Sequence, residues 1–196
     1  MPVEKRIAYL RELRPEVGAL NMGSMNYAKY SRRRKDFVFK AVFENSFDTI
    51  LALLGAMNEC GIRPEHECFD SGHLANLDPL LDMGVLEPLL QVSCVMGVMG
   101  GIRPTAGNLA HMAEQVPDVP HQWGVIGISR AQWGLLAAAL SLGGNVRVGL
   151  EDNFYLPEGE MARSNGELVA RAARMATDAG RRLATVSEAR VMLGLS

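Results

Sequence analysis

The sequence predicts an α/β fold built on a parallel sheet, and two observations carry that expectation. Short apolar runs alternate with amphipathic stretches five times along the 196 residues, with one strand–helix unit in roughly every 30 residues. Polar residues also gather at the C-terminal ends of those runs: Ser24 and Asn26, Glu67 and Asp70, Ser129 and Arg130, Glu151 and Asp152.

The elements follow in order. Residues 3–13 have a helix-like pattern and lead into a first strand over 17–23 (VGALNMG). In 44–60, Ile50, Leu53, Leu54 and Met57 recur at i, i+3, i+4 and i+7, the stripe of a helix packed on one face. Gly61 follows in the position that favours a left-handed residue. A second strand is expected over 65–70 (EHECFD) and an amphipathic helix over 74–85. Residues 89–97 (LLQVSCVMG) are apolar on both faces, as parallel strands tend to be. Leu109, Met112, Ala113 and Val116 mark a helix over 105–116, before a fourth strand over 123–129. A helix over 132–142 ends at Gly143–Gly144, and 145–152 (NVRVGLED) reads as the fifth strand. Ser164 and Glu167 have the spacing of a capping box for a helix ending at Gly180, and a short helix follows around 187–193.

Two architectures share this pattern. An open doubly wound sheet binds ligands where its strand order reverses, commonly at a Gly-rich phosphate turn. The chain contains neither GxGxxG nor GxxxxGK[ST], and GVMGG at 97–101 has the wrong spacing. A (β/α)8 TIM barrel places its functional residues at strand C-termini, where the polar residues lie here. Such a barrel takes about 250 residues, so the expectation is one partial barrel domain over 1–196, about five units long. Its opening helix is how a barrel cut in the middle would begin.

Composition narrows the function. A 48% hydrophobic and 21% charged chain of net charge −2 belongs with ordinary globular proteins and offers no nucleic-acid surface. The one basic run, Arg32–Arg33–Arg34–Lys35, reads as a solvated loop that could meet ligand phosphates. No apolar stretch is long enough to span a membrane, and the start has no signal-peptide pattern. Cys60, Cys68 and Cys94 form no CxxC pair and read as small apolar residues of a cytoplasmic protein.

The segment RVGLEDN at 147–153 is the most informative for chemistry. On a strand, Arg147, Gly149 and Glu151 would share a face, with Asp152 at the strand end. Three charged groups around one apolar strand are costly to bury unless paired or bound to a metal. A buried Arg147–Glu151 ion pair and a catalytic or metal site both satisfy that pattern. Ser24 and Asn26 could bind a ligand carboxylate or simply cap a turn. Glu67 lies within a strand, where a carboxylate is unusual; a salt bridge is its bland alternative. His66, His73, His111 and His121 make no HxH or HExxH pair, so no complete zinc site is legible.

Longer segments carry a resemblance: LNMGSMN, FENSFDTI, RPEHECFDSGH, GVMGGIRPT, WGVIGISR, GGNVRVGLEDNFYLPEGEMARSNGELV and ATVSEARVMLGL. Together they resemble the β-keto acid cleavage enzymes, the family of 3-keto-5-aminohexanoate cleavage enzyme. The resemblance implies a (β/α)8 barrel holding one Zn2+, assembled as a homotetramer. It implies condensation of a β-keto acid with acetyl-CoA, releasing acetoacetate or a related keto acid and a new acyl-CoA. Glu151 is then the carboxylate zinc ligand, Asp152 the base, and Arg147 the group that tunes Asp152 and holds substrate. Ser24, Asn26 and Glu67 fall at substrate-contacting positions. The family's histidine pair belongs to an early strand that this chain does not contain. Two other readings stand beside the enzyme: a non-catalytic structural or assembly module without zinc, and a small-molecule-binding α/β domain outside the family.

Overall fold

The computed structural model describes residues 2–195. The helices are α1 (Val3–Leu13), α2 (Phe47–Cys60), α3 (Ser71–Ala75), α4 (Leu77–Asp82), α5 (Ala106–Glu114), α6 (Gln132–Ser141), α7 (Asn165–Asp178) and α8 (Val186–Met192). The strands are β1 (Val17–Asn21), β2 (Met25–Ser31), β3 (Asp36–Phe43), β4 (Arg63–Cys68), β5 (Leu90–Met96), β6 (His121–Gly127) and β7 (Asn145–Arg147). Among the described residues, no helix is long and apolar enough to cross a membrane.

Five strands form one wholly parallel sheet in the order β1-β4-β5-β6-β7. Each strand lies beside its predecessor in the chain, once the β2–β3 pair is set aside. Among the described strands no reversal of order occurs, so they form no crevice of the doubly wound kind.

Alternation along the strands separates two faces. His66 and Cys68 of β4, Val92, Cys94 and Met96 of β5 and Leu20 of β1 are buried. Most of them join Ile50, Leu54 and Met57 of α2, Leu109 and Met112 of α5 and Leu136 of α6 in the main core. The opposite face holds Glu65 and Glu67, Ser93 and Val95, and Arg147. A small second cluster of Phe69, Val95 and Ile126 lies on that side, with Met25, Val98 and Ile128 against it.

Local signals act as expected at several ends. Ser46 caps α2 by accepting the Thr49 N–H, and Gly61 closes it at φ 69° with its own N–H on the Asn58 and Met57 carbonyls. Ser164 accepts the Glu167 N–H at the start of α7. The expected reciprocal bond is absent there, because the Glu167 carboxylate takes the Arg163 N–H instead at 2.7 Å. The complete capping box is Thr185 with Glu188, at α8.

Two expectations are corrected, and one element had no counterpart in the sequence reading. The amphipathic stretch over 74–85 is two short helices meeting at Asn76, whose side chain donates to the Met22 carbonyl at 2.7 Å. The expected fifth strand stops at Arg147, because the backbone turns: the N–H groups of Asp152 and Asn153 both return to the Gly149 carbonyl. The stretch over 25–43 is an antiparallel hairpin. The basic run, expected in a loop, forms its turn. Alternation in the hairpin was hard to read because aromatic and apolar side chains project from both faces and stay exposed.

Candidate active site

The C-terminal ends of the parallel strands converge on Arg147. Parallel register sets Asn21 opposite Glu67 and Glu67 opposite Ser93, while Arg147 pairs with Ile126. From β7 the guanidinium reaches across β6 and β5 to Glu67, with Nη1 3.3 Å from Oε1. Its Nη2 lies 3.1 Å from Glu151 Oε2, and its Nε 3.3 Å from Asp152 Oδ2. One cation thus meets three carboxylates. Deeper in the same face, Ser93 Oγ donates to Glu65 Oε1 at 2.6 Å.

Glu151 and Asp152 owe their positions to the turn after β7. Arg147 and Glu151 meet through i,i+4 spacing in that turn, not through strand alternation as expected. Several bonds hold the turn. Leu150 N–H donates to Asn165 Oδ1 at 2.8 Å, and Ser129 N–H donates to the Asp152 carbonyl at 2.7 Å. Ser129 adopts φ 61°, a left-handed conformation uncommon for a side-chain-bearing residue. The buried Asn153 side chain donates to Gln132 Oε1 and to the Tyr155 carbonyl, which also accepts the Trp133 indole N–H. This network ties the turn to α6.

Burial differs among the acids, and so does their protonation. The Asp152 side chain is 6% exposed and that of Glu67 15%, against 83% for Glu151. Burial pushes the Asp152 carboxyl above its ordinary value; Arg147 opposes this and Glu151 adds to it. Burial likewise raises Glu67, reinforced by Glu65 and opposed by Arg147. A half-desolvated carboxylate poised above its usual range is the kind of group that can take a proton from carbon.

These side chains open onto a cavity of about 380 Å³ that Asn21, Met25, Tyr27 and Phe43 also line. Asn21 Oδ1 is buried without a hydrogen-bond partner. Ser24 and Asn26 are placed elsewhere. The Ser24 hydroxyl accepts the Asn45 N–H at 2.7 Å at the hairpin base. Asn26 pairs with Val42 and alternates away from Met25 and Tyr27, the β2 residues that face the cavity. Met22 and Met96 are buried in the main core.

Residues 1–195 match the family model of the beta-keto acid cleavage enzyme. The chain belongs to that family. Its similarity to characterised members is spread along the whole length. A 3,5-dioxohexanoate:acetyl-CoA acetone transferase of Paraburkholderia graminis is 33% identical, over 100% of this chain and 68% of the relative. A 3-keto-5-aminohexanoate cleavage enzyme of Fusobacterium nucleatum subsp. nucleatum is 35% identical, over 94% and 63% respectively. A 3-dehydrocarnitine:acetyl-CoA trimethylamine transferase of Rhizobium meliloti is 31% identical, over 98% and 60%. The chain therefore spans about two thirds of the length of these relatives.

For this β-keto acid cleavage family chain, the donors needed for a metal can be tested directly. Among the described residues, no three His, Cys, Asp or Glu side chains come together as a metal site. Glu151 is a single exposed carboxylate engaged by Arg147. His73 is not among the residues lining the cavity. It is buried against Gly23, and its Nδ1 accepts the Phe69 N–H at 3.3 Å. A zinc site takes three or four protein ligands, so these residues alone do not make one.

Reading the sequence alone gave no role to Asn21, Glu65, Ser93 or Asn153, although Asn21 and Asn153 lie inside segments it singled out. Glu65 had a signal, since it shares the alternating face of Glu67. Asn153, inside the quoted motif, had none that separated it from an ordinary turn residue.

Proposed function

We propose that this chain carries the base and the substrate-orienting arginine of an acetyl-CoA-dependent β-keto acid cleavage site. The observation that supports it best is the single guanidinium of Arg147 shared by Glu67, Glu151 and the raised, buried Asp152. Asp152 removes a proton from the carbon between the keto and carboxyl groups. The resulting carbanion attacks the thioester carbonyl of acetyl-CoA, a carbon–carbon bond forms, and the CoA thiolate leaves. That thiolate then adds to the substrate's original keto carbon. Cleavage of the bond to the methylene carbon releases acetoacetate as a carbanion, which recovers its proton from Asp152, and leaves the new acyl-CoA. Arg147 orients the Asp152 carboxylate and offers charge to the substrate carboxylate.

The five parallel strands would form part of a (β/α)8 barrel, and the active species would be a cytoplasmic homo-oligomer. Zinc belongs to the same proposal only with donors beyond the described residues joining Glu151. Bound, it would stabilise the enolate as a Lewis acid. No step above is routed through it.

The test is incubation of the purified protein with acetyl-CoA and a panel of β-keto acids, following acetoacetate and acyl-CoA by mass spectrometry. Acetyl transfer that Asp152→Asn abolishes supports the reading. Intact β-keto acid binding without turnover by the native chain would overturn it in favour of a non-catalytic module.

A further inference from the structure

The hairpin contains six of the chain's 20 basic residues and one acid, Asp36, although the whole chain has net charge −2. Four of the six form its turn: Arg32, Arg33, Arg34 and Lys35, all exposed. Among the described residues, none of the four makes a salt bridge. Four adjacent like charges repel one another, so this tip is costly to keep unless it meets an anion.

The tip is joined to the active-site cavity by one continuous face. Register places Met25 opposite Phe43, Tyr27 opposite Ala41 and Lys29 opposite Phe39, all on the same side of the ribbon. Phe69, Phe43, Tyr27 and Phe39 form a chain of ring contacts with centroids 6.3, 6.1 and 5.1 Å apart. The first three rings line the cavity that holds Arg147 and Asp152, and Phe39 with Lys29 extends the stripe toward the tip. Tyr27 and Phe39 remain about 40% exposed, so the stripe is open to a ligand.

We propose that this face binds the CoA thioester, the aromatic stripe taking the pantetheine arm and the basic turn the phosphates. The inference rests on the acetyl-CoA-dependent reading above and adds to it a site for the cofactor-like tail. Dimensions agree. The six residue-to-residue steps of strand from Met25 to Ser31 cover about 20 Å. The arm from thioester sulfur to diphosphate is a chain of about fourteen bonds, roughly 16 Å when extended at the rise per bond of a polypeptide. A thioester carbon beside Asp152 therefore leaves the diphosphate near the turn. Charge selects this occupant over a second copy of the chain, because a diphosphate with a further phosphate supplies concentrated negative charge to four unpaired cations.

The test is calorimetric titration of the whole chain with CoA, with pantetheine and with acetoacetate. Two variants are compared with the native protein: Arg32→Gln/Arg33→Gln/Arg34→Gln/Lys35→Asn, and Phe39→Ser. Asn suits the φ of 52° at position 35. The turn variant should weaken CoA binding about tenfold or more, leave pantetheine and acetoacetate binding unchanged, and lose the salt dependence of the native protein. Phe39→Ser should weaken CoA and pantetheine alike. Native CoA affinity in the turn variant would overturn the proposal while leaving CoA dependence itself standing. Acetoacetate binding by native protein with no CoA binding would overturn both readings. A changed sedimentation mass in the turn variant, with CoA affinity intact, would assign the tip to a second copy instead.

Discussion

Arg147 Nη1 lies 3.3 Å from Glu67 Oε1, although 80 residues separate the two in the chain. The bond crosses two intervening strands and belongs to one of three ion pairs that hold the guanidinium at the strand ends. Its balance is uneven, because burial and Glu65 together raise the Glu67 carboxyl despite Arg147. A carboxyl raised on folding binds more protons folded than unfolded. Stability therefore falls as pH rises from the unfolded value through the folded one. Glu67→Gln should accordingly raise the thermal midpoint at neutral pH by about 2–4 °C, or about 1 kcal/mol. The difference should vanish in acid, below the ordinary carboxylate range. Calorimetry of both proteins from about pH 3 to pH 8 checks this.

Asp152→Asn should cut turnover by about 10²–10⁴ while leaving the circular dichroism spectrum unchanged. Asn retains the volume and one acceptor for Arg147, so the turn tied by Ser129 and Asn153 should persist. In the native protein, kcat/KM should rise with pH along a limb lying above the usual aspartate value, because burial raises Asp152. An acid limb in the ordinary aspartate range would remove Asp152 from the role of base.

His66 faces the helix side, is 1% exposed, and its Nδ1–H donates to the Gln91 carbonyl at 2.8 Å. Its Nε2 has no partner, and burial pulls its pKa down to about 4. The unfolded chain binds this proton near pH 6.5, so stability should fall as pH drops from about 6.5 to about 4, by up to about 3 kcal/mol. Urea midpoints against pH should show that limb in the native protein and a flatter one in His66→Leu.

Gly100 adopts φ 109°, and a Cβ there would run into the Asn26 carbonyl. The neighbouring Met99 bridges Ala28, so this loop is the backing of the hairpin. Gly100→Ala should cost about 1–3 kcal/mol, measured by denaturant unfolding. Faster hydrogen exchange in 25–43 with little change in the five-stranded sheet would locate the damage to the hairpin.

Much of the fold was legible because its signals are local. The stripe Ile50, Leu53, Leu54, Met57 announces α2, Ser46 and Gly61 bracket it, and all four stripe residues are buried. The candidate site was half legible. Arg147, Glu67, Glu151 and Asp152 stood out as charges in apolar runs and do come together. Ser24 and Asn26 stood out equally, yet one secures the Asn45 backbone and the other alternates away from the cavity.

The sequence by itself determined the β-α alternation, the helix ends and the presence of charge near strand termini. Each of these depends on residues within a turn or two of one another. Only the tertiary structure decided that Arg147 serves three carboxylates, that Glu65 and Ser93 share their face, and that 25–43 stands out as a basic-tipped ribbon. Those facts depend on strand register between segments up to 80 residues apart and on where the chain leaves its last strand. Alternation along a single strand cannot encode such pairing, since the partner strand supplies half of every contact.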